Sequence, residues 1–242
     1  MLLAKAACDV LREPSAPGAY RAIAVVSLAE GVRQRIDLPL DAANLLWLAV
    51  ERSPIATWAA DATETIGLLA GRSLVEEIVK TVTTESASGE LRRMGLDVFS
   101  DPRAAKHLTD REILGLVEGA RGREAANVAN VILAASEGRA IQPHVVQAIV
   151  ARWSEQPDVT CRMAVLDLLE LLPAVDQGRL LVGLLLRDPS SKVRELAAMR
   201  VEDVLDPGDA IALVDRALVD EEHPGVVAEL TRARADALAR RA

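Results

Sequence analysis

Aromatic side chains are nearly missing from this sequence: Phe, Trp and Tyr together make up 2% of its 242 residues. β-Sandwiches and barrels fill their pleated surfaces with aromatic and β-branched residues, so the shortage argues against a sheet-based core. Cysteine is also scarce. Cys8 and Cys161 lie far apart, inside helix-like stretches, which fits a reducing compartment and two structural thiols better than a disulfide framework. Histidine is limited to His107, His144 and His223, without H-x-x-x-H or C-x-x-C spacing, so neither a metal site nor a cofactor is expected. Basic charge is in deficit, 28 Lys and Arg against 36 Asp and Glu, which disfavours a partner that must be held by neutralising phosphates. No apolar run reaches the roughly 18 residues of a membrane span. The opening MLLAKAACDVLRE has neither the charged start nor the long apolar middle of an export signal. A cytoplasmic protein is expected, with no membrane partner.

What is present is a large apolar fraction, 50%, carried by Leu, Ala and Val, with 26% charged residues. That is enough to bury a sizeable core and too apolar for a disordered chain. It is also punctuated. Pro or Gly followed by a helical pattern recurs at Pro17, Pro54, Gly89, Gly122, Pro157, Pro189 and Pro224. The intervals give a period of about 34 residues, the length of one helix-turn-helix unit.

Between these marks, apolar residues fall at i, i+3, i+4 and i+7 over 40–52, 73–85, 109–119, 142–155, 175–187 and 208–220. With 1–13 and 17–34 as an opening pair, each unit holds two helices. Sustained period-2 alternation is lacking, so the fold is expected to be all-α. Asp41, Ser73, Thr109 and Asp176 stand near helix starts, where an oxygen accepts a free N–H. Gly71 and Gly138 stand near ends, where glycine takes a left-handed cap most easily.

One stretch is more specific. Leu186-Arg187-Asp188-Pro189-Ser190-Ser191-Lys192-Val193-Arg194-Glu195-Leu196-Ala197-Ala198 resembles the HEAT-repeat signature, an Asp-Pro turn followed by Val-Arg-x-x-Ala. The apolar-Arg pair returns as Leu91-Arg92 and Cys161-Arg162, so Arg92, Arg162 and Arg194 are equivalent, with Asn127 at the intervening position. Ala59 and Ala228 depart from the pattern in the early and last units. Glu85, Glu155 and Asp188 precede the arginines by six or seven positions. The resemblance implies that these residues form a structural ladder of charge-assisted hydrogen bonds across the turns.

The fold the resemblance implies is a right-handed α-solenoid of about seven HEAT-like helix pairs, one domain over 1–242. Its approximate units are 1–36, 37–72, 73–106, 107–140, 141–174, 175–206 and 207–242. A tetratricopeptide array shares the period but not the Trp, Gly and Tyr pattern.

Catalysis has no visible seat. Gly67-Leu68-Leu69-Ala70-Gly71-Arg72-Ser73 is one residue short of a phosphate-binding loop, has Arg for Lys and follows a helix. Gly119-Ala120-Arg121-Gly122-Arg123 offers an anion a helix N-terminus, but reads more simply as an inter-repeat turn. G-x-S-x-G and H-E-x-x-H motifs are missing.

The expected function is therefore that of a non-enzymatic, bacterial-type adapter or scaffold that binds a protein partner or joins a larger assembly. The bacterial element rests on richness in Ala, Leu and Arg. Solenoids of this kind dock partners on the surface made by successive second helices, and Arg93, Asn130, Lys192 and Arg200 are the candidate partner-binding residues by position and charge.

The alternative is a nucleic-acid-acting solenoid resembling the HEAT-like DNA alkylation-repair glycosylases, which use Trp and Asp against the damaged nucleotide. Trp47 and Trp58 sit in apolar patterns expected to be core, while Trp153, beside Ser154 and Glu155, has room for exposure. A weaker reading, from the repeat type alone, is a role on a bilin-bearing protein. The segment 202–222 carries eight acidic residues against Arg216 alone, an acidic end suited to a basic partner or to solvation of outer helix ends.

Overall fold

Helix punctuation decides the local structure, and tight side-chain packing decides the rest. The computed structural model of the chain describes residues 2–120 and 122–241; Arg121, in the glycine-rich turn considered above, lies outside them. Sixteen α-helices, one 3-10 turn and no strand occur among the described residues. The chain divides into two compact units, residues 2–120 with 130–141, and residues 122–129 with 142–241.

The first unit contains α1 (Leu2–Arg12), α2 (Gly18–Arg33), α3 (Ala42–Arg52), α4 (Ala59–Leu69), α5 (Arg72–Thr83), α6 (Gly89–Phe99), the single-turn α7 (Pro102–Ala105) and α8 (Asp110–Gly119). It also holds the later half of α9 (Glu124–Gly138). α1 packs on α2, α3 on α4 and α5 on α6. Along one side α1, α3, α5 and α8 touch in succession, and along the other α2, α4 and α6 do. The sequence explains the contact faces. In α5, Leu74, Val75, Ile78, Val79 and Val82 recur every three or four residues and are buried, while Glu76, Glu77 and Lys80 face water.

The second unit begins with the start of α9 and continues through α10 (Pro143–Ser154), α11 (Val159–Asp167), the 3-10 turn Leu169–Leu171, α12 (Ala174–Arg187), α13 (Ser191–Met199), the single-turn α14 (Val201–Val204), α15 (Pro207–Asp220) and α16 (Pro224–Arg241). α10 packs on α11, α12 on α13 and α15 on α16, while α11, α13 and α16 follow one another through direct contacts. Proline opens α10 and α15 at the first helical position, where its missing N–H costs nothing.

The expected helical segments coincide with α1, α2, α3, α5, α8, α10, α12 and α15 to within a few residues. The capping residues divide. Thr109 forms a full capping box with Glu112: its Oγ1 accepts from the Glu112 N–H at 3.2 Å, and Glu112 Oε2 accepts from the Thr109 N–H at 2.7 Å. Asp41 is the N-cap of α3, but its carboxylate goes to Arg12 at 2.6 Å and not to the helix N–H groups. Ser73 and Asp176 lie inside their first turns, behind the caps Gly71 and Pro173.

Gly71 opens α5 with φ −96° and does not close α4. Gly138 is the last residue of α9 and has no left-handed φ; a Cβ there would collide with Lys106, so close approach is what requires glycine. Left-handed backbone appears instead at Gly122 (φ 51°) and Arg35 (φ 56°). Arg35 sits just past α2 in a paired termination: its N–H donates to Val32 O at 2.9 Å and the Ile36 N–H to Gly31 O at 2.8 Å. An L-residue in this conformation stores strain.

All three tryptophans are buried. Trp47 and Trp58 are core as expected, and Trp153 is only 1% exposed. Its position at the end of α10 leaves room for exposure, but the side chain turns inward. Stacking on a flipped base needs an accessible ring, and none of the three supplies one. Both cysteines are buried thiols, and burial pushes the Cys8 thiol up. No described helix is long and apolar enough to cross a membrane.

Candidate functional site

Two of the arginines that share the repeat register, Arg162 and Arg194, have partners of the same kind: a main-chain carbonyl in the preceding turn and a carboxylate ahead. Arg162, on α11, donates Nη1 to the carbonyls of Gln156 (2.7 Å) and Pro157 (2.9 Å) in the turn before its own helix. Its Nε and Nη2 reach forward to Asp188 Oδ2 (2.7 Å) and Oδ1 (3.2 Å). Asp188 Oδ1 also accepts from the Ser190 N–H at 2.8 Å, tying the carboxylate into the turn before α13.

One helix pair later the arrangement returns. Arg194 donates Nη1 to Asp188 O (2.9 Å) and pairs Nε and Nη2 with Glu221 Oε2 (2.7 Å) and Oε1 (3.0 Å). Glu221 in turn accepts from the His223 N–H at 2.9 Å.

Each guanidinium thus joins the turn behind it to the turn ahead with a two-pronged, charge-assisted contact. The hydrogen bond to Asp188, opposed by desolvation, raises the Arg162 pKa above its ordinary value, and Arg194 is raised in the same way by Glu221. The hydrogen bond from Arg194 holds the Glu221 carboxyl below the usual carboxylate range, against the upward push of burial.

The acidic residue six or seven positions before each arginine plays a different part in each case. Asp188 contributes its main-chain carbonyl to Arg194 and its side chain to Arg162. Glu155 is the exposed C-cap of α10, and Glu85 is exposed in the turn after α5. In the first unit, Arg92 Nη2 donates to Gly119 O at 2.8 Å, and a Cβ on Gly119 would lie 2.7 Å from that nitrogen. Asn127 is half-buried within α9.

The candidate partner-binding residues are spread over three helices. Arg93 on α6 is exposed and holds Asp97 at 3.0 Å and Glu90 on its own helix. Asn130 on α9 and Lys192 on α13 are exposed. Arg200, at the end of α13, stands 3.8 Å from Asp167 and 3.8 Å from Asp203. None of the four lines the cleft described below.

Much of the acidic run is engaged within the chain. Glu202 pairs with Arg232 at 3.1 Å, Asp215 with Arg234 at 2.6 Å, Glu221 with Arg194 and Asp203 with Arg200. Arg72, from the loop resembling a phosphate site, is spent in the same manner: it grips Glu112 at 2.6 and 2.9 Å and donates to His107 O at 2.7 Å. No group of three or more metal-ligating side chains converges among the described residues.

The chain matches no protein-family model and no curated protein.

The second unit also carries a cleft of about 730 Å³ between α10 and α12. Val150, Leu172, Leu180 and Leu184 give it apolar walls, and the Arg162–Asp188 pair stands at one end beside Pro157 and Pro189. That volume is in the range of sites that bury a ligand or a few side chains.

Glycine in a helix interior costs about 1 kcal/mol relative to alanine, yet Gly183 occupies the middle of α12 and lines this cleft. A Cβ added there would meet nothing within 4 Å, so packing within the chain does not account for it. The repeat signature next to it marks Asp188 and Arg194, and no local motif marks Gly183.

Proposed function

We propose that this protein is a cytoplasmic HEAT-like adapter: a right-handed α-solenoid of about seven helix pairs that holds a protein partner and performs no catalysis. The observation that carries the reading is the repeated stitch, Arg162 to Asp188 and Arg194 to Glu221, each also bound to at least one carbonyl of the preceding turn. Recurrence once per helix pair is the mark of a fold determinant in a repeat protein, where each unit contacts its neighbours. With the ladder assigned to architecture, the exposed helix faces are left for binding.

The solenoid is tested by small-angle scattering. A compact chain of this length has a radius of gyration of about 18 Å, and an extended stack exceeds that value clearly. The adapter role is tested by affinity capture from native lysate, with and without nuclease, followed by cross-linking of the captured complex. A stoichiometric protein that survives nuclease and cross-links to the helix faces is the expected result. Nucleic acid recovered without a protein partner overturns it in favour of a nucleic-acid-acting solenoid.

A further inference from the structure

We infer that the cleft between α10 and α12 is a docking groove for one amphipathic helix of a partner protein, with an apolar face and an acidic edge. This rests on the adapter reading and names the place and the chemistry of the contact.

The groove is bounded by two helices. It is lined from Gln147 to Ser154 on α10 and from Asp176 to Arg187 on α12, so its longer wall runs about 16 Å, or three helical turns. Small residues, Ala151 and Ser154 on one wall and Gly183 on the other, leave the space open. Val150, Leu180 and Leu184 offer an apolar surface within it. A trough of that length, open along its course and walled by two helices, suits an amphipathic helix laid on its apolar face.

Charge gives the occupant its polarity. Arg179 and Arg187 stand eight residues apart on the α12 wall, about 12 Å along the axis. Arg187 is exposed and has no ion pair among the described residues. Arg179, 79% exposed at its side chain, has a long ion pair with Asp176 at 3.9 Å as its one ion pair among the described residues. Of the nearby carboxylates, Asp188 is neutralised by Arg162, while Asp176, which accepts from the Gln147 amide at 3.1 Å, keeps its charge beside Arg179. Glu155 remains at the end of the α10 wall. A helix whose acidic residues recur after two turns would meet both arginines, with its neutral or basic edge toward α10.

The test is a selection from a displayed library of helical peptides on the full-length protein. The enriched peptides are then titrated against wild type, Gly183→Leu, which fills the groove, and Arg179→Glu/Arg187→Glu, which reverses the wall's charge. Circular dichroism establishes that both variants fold.

The expected pool has an apolar stripe with Asp or Glu along one edge. It should lose at least tenfold in affinity toward both variants, and the charge-reversed protein should prefer Lys-edged peptides. An empty pool, a pool rich in Lys and Arg on wild type, or equal binding to Gly183→Leu overturns the proposal. So does a wild-type dimer that Gly183→Leu dissociates, because the occupant would then be a second copy of this chain. These results remove the groove alone; the adapter reading falls only to the nuclease-controlled capture.

Discussion

Arg92 in the first unit and Arg162 in the second are each the fourth residue of their helix, and they reach nearly the same distance forward in sequence to the next turn. Arg162 ends on the Asp188 carboxylate, 26 residues ahead, with both side chains buried. Arg92 Nη2 ends on a main-chain carbonyl, that of Gly119, 27 residues ahead. The spacing is the constant, set by the length of a helix pair. At that distance the next turn offers Arg162 a carboxylate held by the Ser190 N–H, and offers Arg92 Nη2 a carbonyl left bare by a missing Cβ.

The largest effect expected from breaking this comparison is at Asp188. Asp188→Ala leaves the Arg162 guanidinium buried without its counter-charge, and should cost about 3–5 kcal/mol. Chemical denaturation of the variant measures it, and a loss below about 1 kcal/mol would show that the pair is not a main support of the second unit.

Glu221→Gln comes next, expected to cost about 1–2 kcal/mol at neutral pH, since Arg194 is partly solvated. Its pH dependence has a definite sign. The folded Glu221 carboxyl is held below its usual value, so its contribution is fully present above the ordinary glutamate pKa of about 4.3 and fades as pH falls through the folded value. Melting curves from pH 7 to pH 3 should show wild type and Glu221→Gln converging in acid. The Arg92–Gly119 bond ends on a carbonyl, which does not titrate in this range.

Gly119→Ala places a Cβ against the Arg92 guanidinium and should cost about 1 kcal/mol, the worth of one hydrogen bond. A neutral result would mean that Arg92 moves aside without loss. A change of similar size runs the other way: Arg35→Gly relieves the left-handed strain after α2 and should stabilise by about 1 kcal/mol. A rise in melting temperature confirms it, and a fall would place the worth of Arg35 in its side chain.

The helices were largely legible in advance because their causes are local. Pro143 and Pro207 open α10 and α15, Thr109 and Glu112 close a capping box within one turn, and the apolar spacing of α5 selects its own buried face. The ladder was half legible. Arg92, Arg162 and Arg194 share a register visible in the sequence, whereas Glu221 is submerged in an acidic run and Glu155 proves to be an exposed helix cap. The cleft left no mark at all, since Ala151 and Gly183 are ordinary small residues until α10 and α12 are set beside each other.

The sequence by itself determined where helices start and stop, because capping, proline geometry and apolar periodicity act within a few residues. Only the tertiary structure decided that Trp153 turns inward, that Asp188 serves two arginines at once, and that α10 and α12 part around Gly183. Those outcomes join residues that sit on different helices, and which atoms meet there depends on the packing angle and distance between the helices, quantities that no short-range pattern encodes.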